Sequence, residues 1–186
     1  MWQPDANERR TMTTGKLSLI TGLGAGVLYT AGLLISHQMG TEALSAFLSA
    51  YAFLPLVLII IGLGAVWLRK NFSPAPELKE LLKYAFLAYF ILELCYALSN
   101  LLVFRWMDPE ANDAVMKYLY AQTEQKLKDG QGGKEKLEAI KKMADSVKGP
   151  ITYTQVLIGM GQQLIVDFIK SLFIATITKQ TIQPKQ

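Results

Sequence analysis

The sequence holds one cysteine and one histidine in 186 residues. A lone cysteine, Cys95, excludes a disulfide within the chain and a cysteine-rich metal site. His37 alone leaves a histidine-based metal site without companions, so neither a metal nor another cofactor is expected. Charge is missing from two long stretches, 17–36 and 43–68, which contain no Asp, Glu, Lys or Arg. Catalytic constellations are missing as well. Asp145 and Ser146 are adjacent but have no histidine nearby, so no hydrolase set and no catalytic residue is assigned. The glycines of the first apolar run lack the strand and spacing of a nucleotide fingerprint. The excess of positive charge, +4, is small and sits beside apolar runs, which argues against a nucleic-acid partner.

What the chain does have is apolar length. Four runs, 17–36, 43–68, 84–104 and 151–178, each reach the ~20 mostly apolar residues that a helix needs to cross ~30 Å of hydrocarbon. They predict an all-α, polytopic membrane protein, a bundle of four transmembrane helices, with residues 1–186 forming one membrane domain. The first run follows Arg9, Arg10 and Lys16, as a signal peptide would. It is too long for a usual signal core and ends Leu34-Ile35-Ser36-His37 without a small-residue cleavage site. It reads as a retained span.

Basic residues in short loops set orientation. They occur in the N-terminal tail, in the second loop (Arg69, Lys70, Lys79, Lys83) and at the C-terminus (Lys179, Lys185), whereas the loop from His37 to Glu42 has no Lys or Arg. Both termini are therefore expected in the cytoplasm. Trp67 and Trp106 fall at span ends, where indoles settle among headgroups.

The third loop, 108–149, carries eight lysines matched by eight acidic residues. Asp108-Pro109-Glu110 suits a helix start. Met116, Leu119, Tyr120, Thr123 and Leu127 follow at helical spacing. Gly130-Gln131-Gly132-Gly133 interrupts them, and Leu137, Ile140, Ala144 and Val147 make a second stripe ending at Gly149-Pro150. The pattern predicts an extracytoplasmic helical hairpin between spans three and four. Asp113 with Lys117, Glu124 with Lys128 and Glu138 with Lys142 are favourable (i, i+4) pairs. The charged surface is either simply solvated or docks a partner.

Polar groups within apolar spans are costly, which makes them the informative residues. Tyr89, Glu93, Tyr96 and Asn100 line one stripe of the third span. Gln155, Gly159, Gln163, Asp167 and Lys170 line one of the fourth, with Gln162 alongside. The stripes should face each other. Asp167 and Lys170 can pair within their helix. Glu93 then needs Lys170, the Gln162 and Gln163 amides, a water-filled crevice or a proton. The cluster is either a proton- or ion-linked site or a structural seam with Lys170 snorkelling. Gly22 and Gly26 form a G-x-x-x-G that packs within the bundle or dimerises. Pro55, Gly62 and Gly64 are candidate kinks in the second span.

The order of these features resembles a bacterial membrane family, domain of unknown function 4199. The resemblance is carried by Trp106-Met107-Asp108-Pro109, Met116-Lys117-Tyr118-Leu119, the Gln125-Lys126-Leu127-Lys128-Asp129-Gly130 run, the Gly149-Pro150 entry and residues 171–178 before Lys179. It covers nearly the whole chain and implies a protein of the bacterial cytoplasmic (inner) membrane. The fourth span departs: the family pattern has a Glu and a Pro near mid-span, where this chain has Gln162, Gln163 and Asp167. No role of that Glu is carried over. The expected function is a non-enzymatic assembly or accessory component of the membrane, with the hairpin as a docking surface. Its partners would be the lipid bilayer and a homo-oligomer or another membrane protein. The alternative is a small oligomeric transporter or channel subunit built on the polar cluster.

Overall fold

The computed structural model describes residues 6–53, 55–72, 75–128 and 149–181, together with 135, 138, 139, 141 and 142. The protein is all-helical across these residues. The elements are α1 (Ala6–Gln38), α2 (Thr41–Phe53), α3 (Leu56–Asn71), α4 (Leu78–Leu101), a π-helical turn (Leu102–Met107), α5 (Ala111–Lys128) and α6 (Tyr153–Thr181). Among the described residues, three stretches, Thr14–Gln38, Leu78–Met107 and Tyr153–Thr181, are long and apolar enough to cross a membrane. The number rises to four if Thr41–Tyr51 and Leu56–Asn71 count as one interrupted span. Most of the second arm of the sequence-predicted hairpin lies outside the described residues.

Local chemistry explains the helix boundaries. Helix α1 has 33 residues, ~50 Å at 1.5 Å per residue, and so exceeds the ~30 Å of hydrocarbon. It closes at Gly40, whose φ of 103° is the left-handed cap conformation that glycine adopts without penalty. The six residues read as a first loop reduce to the joint Met39-Gly40, because Leu44 N–H already donates to Gly40 C=O at 3.0 Å. Pro55 precedes α3 and accepts from Ile59 N–H at 3.0 Å. It starts a helix here, where its missing N–H costs nothing. Helix α4 begins several residues before the apolar run, with Glu80 Oε2 accepting from Glu77 N–H at 2.9 Å in capping-box fashion. Lys79 and Lys83 are therefore helical rather than loop residues. Helix α6 has a full capping box: Gln155 N–H donates to Thr152 Oγ1 at 3.2 Å, and Thr152 N–H donates to Gln155 Oε1 at 2.8 Å.

The chain divides into two compact units. The first comprises Met1–Tyr29, Leu54–Tyr96 and Gly159–Gln186. Its core joins Ala25 of α1 with Ile61, Ala65 and Leu68 of α3. From α4 come Leu81, Tyr84, Ala85, Ala88, Tyr89 and Leu92, and from α6 Ile174 and Ala175. Close approach of α1 to α4 depends on glycine. A Cβ at Gly22 would sit 2.6 Å from Ala88 O, and one at Gly26 would sit 2.5 Å from Cys95 Cβ. Both glycines of the G-x-x-x-G thus face α4. Ser18 Oγ adds a hydrogen bond across the same interface, donating to Tyr84 O at 3.1 Å. Gly64 makes room for the Tyr84 hydroxyl, which a Cβ there would strike and which donates to Thr21 Oγ1 at 3.1 Å. Helix α3 runs through Gly62 and Gly64 without interruption.

The second unit comprises Thr30–Phe53 and Ala97–Ile158. Here α5 packs on α2. Thr30 and Ser99 share a hydroxyl hydrogen bond of 2.7 Å, and Gly32 lies against the Phe47 ring. The π-helical turn closes where Asp108 N–H donates to Val103 O at 2.8 Å. Arg105 Nη1 donates to Ile151 O at 3.0 Å while its guanidinium lies 4.5 Å from the centre of the Tyr153 ring. Asp113 Oδ1 accepts from Gly149 N–H at 3.1 Å.

Candidate functional site

Within the first unit, α4 and α6 bring together the ionisable residues of their polar stripes. Asp167 is fully buried at 0% exposure, and Glu93 is 7% exposed. Lys170 Nζ donates to Asp167 Oδ1 at 2.9 Å, and Gln163 Nε2 donates to the same oxygen at 3.2 Å. Helical spacing makes this possible, since residues three and four apart share a face. Ser171 Oγ donates to Asp167 O at 2.6 Å, closing the polar surface of α6 at that turn. The Lys170 ammonium lies 5.5 Å from the centre of the Tyr89 ring on α4, while its side chain stays about one-third exposed.

Glu93 lies one helical turn beyond Tyr89 on α4, on the face that the Lys170 ammonium paired with Asp167 approaches. Asp167 divides its oxygens unequally. Oδ1 accepts both donors of α6, whereas Oδ2 is buried with no donor among the described residues. Phe86 and Phe168 pack edge-on at 5.8 Å and hold the two helices in register beside the cluster.

The remaining sequence-predicted residues go elsewhere. Tyr96 packs against Tyr29 of α1, with ring centres 4.7 Å apart. Asn100 is buried and belongs to the second unit. Gln162 is exposed, and so are its neighbours Gly159 and Gly161, where a Cβ would meet nothing within 4 Å. Gln155 serves the cap of α6. Helical spacing alone puts it in a membrane stripe; the signal that places it correctly is the Thr-x-x-Gln signature preceding the apolar run.

A second polar grouping lies in the second unit. His37 Nε2 and Asp108 Oδ2 are 3.2 Å apart, and Asp108 Oδ1 accepts from Glu110 N–H at 3.2 Å and Ala111 N–H at 3.1 Å. Asp108 thus caps α5 and ties it to the end of α1. These residues, with Thr41, Leu44 and Ala114, border a cavity of about 270 Å³. Among the described residues, no group of three or more His, Cys, Asp or Glu side chains is arranged to hold a metal ion.

A family model described as a protein of unknown function (DUF4199) matches residues 16–180. No curated protein and no solved structure matches the chain.

Proposed function

Starting from the chain's membership of the DUF4199 family of proteins of unknown function, with apolar helices consistent with a membrane protein, we propose that it is a non-enzymatic assembly or accessory component of the bacterial inner membrane. In this reading the chain forms one membrane domain of four spans, α2 and α3 together making the second. Both termini lie in the cytoplasm, and 108–149 is an extracytoplasmic hairpin that docks a partner.

The observation that carries the assembly role is the outward face of α6. Only 17% of its most apolar stretch is buried within the chain, against 50% for that of the span containing α4. Lipid alone would satisfy Ile158, Ile165 and Ile169 on that face, but not the exposed amide of Gln162. An amide at membrane depth favours another helix with a hydrogen-bonding group, and Gly159 and Gly161 leave room for close approach. The test is copurification from native membranes in mild detergent, wild type against Gln162→Leu. The variant should lose its copurifying membrane partner or its self-association. A stably folded variant with an unchanged set of associated chains would refute the role.

The alternative, a small oligomeric transporter or channel subunit, is favoured by one observation, the ionisable cluster of Glu93, Asp167 and Lys170 in the first unit. Ion flux in proteoliposomes that is lost in Glu93→Gln would select it over the assembly role.

A further inference from the structure

We infer that Glu93 and Asp167 together hold one exchangeable monovalent cation, a proton or an alkali-metal ion, between their carboxyl groups. The inference stands independently of whether α6 docks a partner.

The first support is charge. The cluster contains two carboxylates and one ammonium, so with all three ionised it carries one uncompensated negative charge. A buried charge without a counter-charge is strongly disfavoured in a low-dielectric surrounding. Lys170 is already committed, its Nζ 2.9 Å from Asp167 Oδ1 and its charge above the Tyr89 ring. On α1 the basic residues stop at Lys16, on α3 they are Arg69 and Lys70 in the last turn, and the other lysines of α4 and α6, Lys79, Lys83 and Lys179, lie ten or more residues along their helices from Glu93 or Asp167, about 15 Å or more. Arg69 Nη1 donates to Pro76 O at 2.6 Å. No acidic or basic residue occurs between Leu17 and Tyr29 of α1, or on α3 before Arg69.

The second support is geometric and independent of the charge count. Asp167 Oδ2 is buried and has no donor among the described residues, and the buried Glu93 lies one turn from Tyr89, over whose ring the Lys170 ammonium bound to Asp167 sits at 5.5 Å. Two ionised carboxylates offer each other only acceptors. A proton between them would turn one into the missing donor, and an alkali-metal ion would be coordinated by both. Either occupant satisfies Oδ2 and balances the charge, whereas a divalent cation would leave an excess positive charge.

The test uses the full-length protein in lipid nanodiscs, near neutral pH, in choline chloride free of alkali metals. Exposed carboxyl groups are ionised under these conditions, so infrared spectroscopy reports buried protonated acids selectively. The expectation is one carboxylic-acid carbonyl band per chain, lost in Glu93→Gln. Adding sodium chloride separates the two sources. An unchanged band identifies the proton as resident. Loss of the band with release of about one proton, matched by one bound radioactive sodium ion per chain, identifies exchange with an alkali-metal ion. If Glu93→Gln does not fold, Asp167→Asn serves: it leaves one carboxylate facing Lys170 and should abolish both the band and sodium binding. A wild-type chain with no carboxylic-acid band in choline and no bound sodium overturns the proposal. So does a band that persists in both variants.

Discussion

Gly64 and Tyr84 decide how closely α3 approaches α4. The tyrosine hydroxyl occupies the space a side chain at 64 would need, and it donates there to Thr21. Gly64→Ala is therefore expected to destabilise the protein by about 1–3 kcal/mol, the range for overpacking a tight interface. Tyr84→Phe should cost about 1 kcal/mol through the lost hydrogen bond. The double variant should be more stable than the sum of the two losses, because removing the hydroxyl relieves the collision. Thermal unfolding in detergent across this cycle gives the result, and strict additivity would contradict the contact. The glycines of α1 offer a parallel contrast. Gly22→Ala meets Ala88 O and Ile91, so the melting temperature should fall, whereas Gly24→Ala meets nothing within 4 Å and should be neutral or slightly stabilising.

At the scale of elements, the informative features are helix ends. Asp108 performs two tasks, capping α5 through Oδ1 and joining His37 through Oδ2. Asp108→Ala removes both, and loss of the cap alone costs about 1 kcal/mol. Amide hydrogen exchange in the first turns of α5 should accelerate, while exchange in α4 before Leu101 stays unchanged. Asp108→Asn should retain most of the protection, since its carbonyl oxygen can still cap. Equal protection in wild type and Asp108→Ala would show that α5 does not depend on this residue. At the entry to α6, Thr152→Val should similarly fray the first turn, because the Thr152 hydroxyl accepts from Gln155 N–H within the capping box. Thr152→Ser should preserve it.

For the whole molecule, the distribution of basic residues predicts that position 38 and position 71 lie on opposite sides of the membrane. In a Cys95→Ser background, Gln38→Cys should react with a membrane-impermeant maleimide in intact cells. Asn71→Cys should react only after the membrane is permeabilised. Labelling of both in intact cells would sink the orientation argued from Arg9, Arg10, Lys70 and Lys83. The same experiment bears on the second span, since a chain in which α2 and α3 did not cross together would leave these two positions on one side.

Much of this organisation can be read without coordinates. Charge-free runs, helical spacing of apolar residues and the Asp108-Pro109 break locate the helices because these signals are local, although the run 43–68, read as one span, divides at Pro55 into α2 and α3. Each depends on residues within a few turns of one another, and apolar length depends only on the width of the solvent to be crossed. Asp167 and Lys170 share a face for the same reason. What tertiary structure alone decided are the choices among partners. Gly22 and Gly26 lie against α4, Gly64 yields space to Tyr84, α5 packs on α2, and Gln155 turns back to its own helix cap while Gln162 faces outward. Glu93 is buried on the face of α4 that the Asp167–Lys170 pair of α6 approaches. A helical pattern gives the face on which a side chain lies but not what stands opposite. That depends on the rotation and closeness of helices far apart in sequence, which the packing of the assembled chain alone sets.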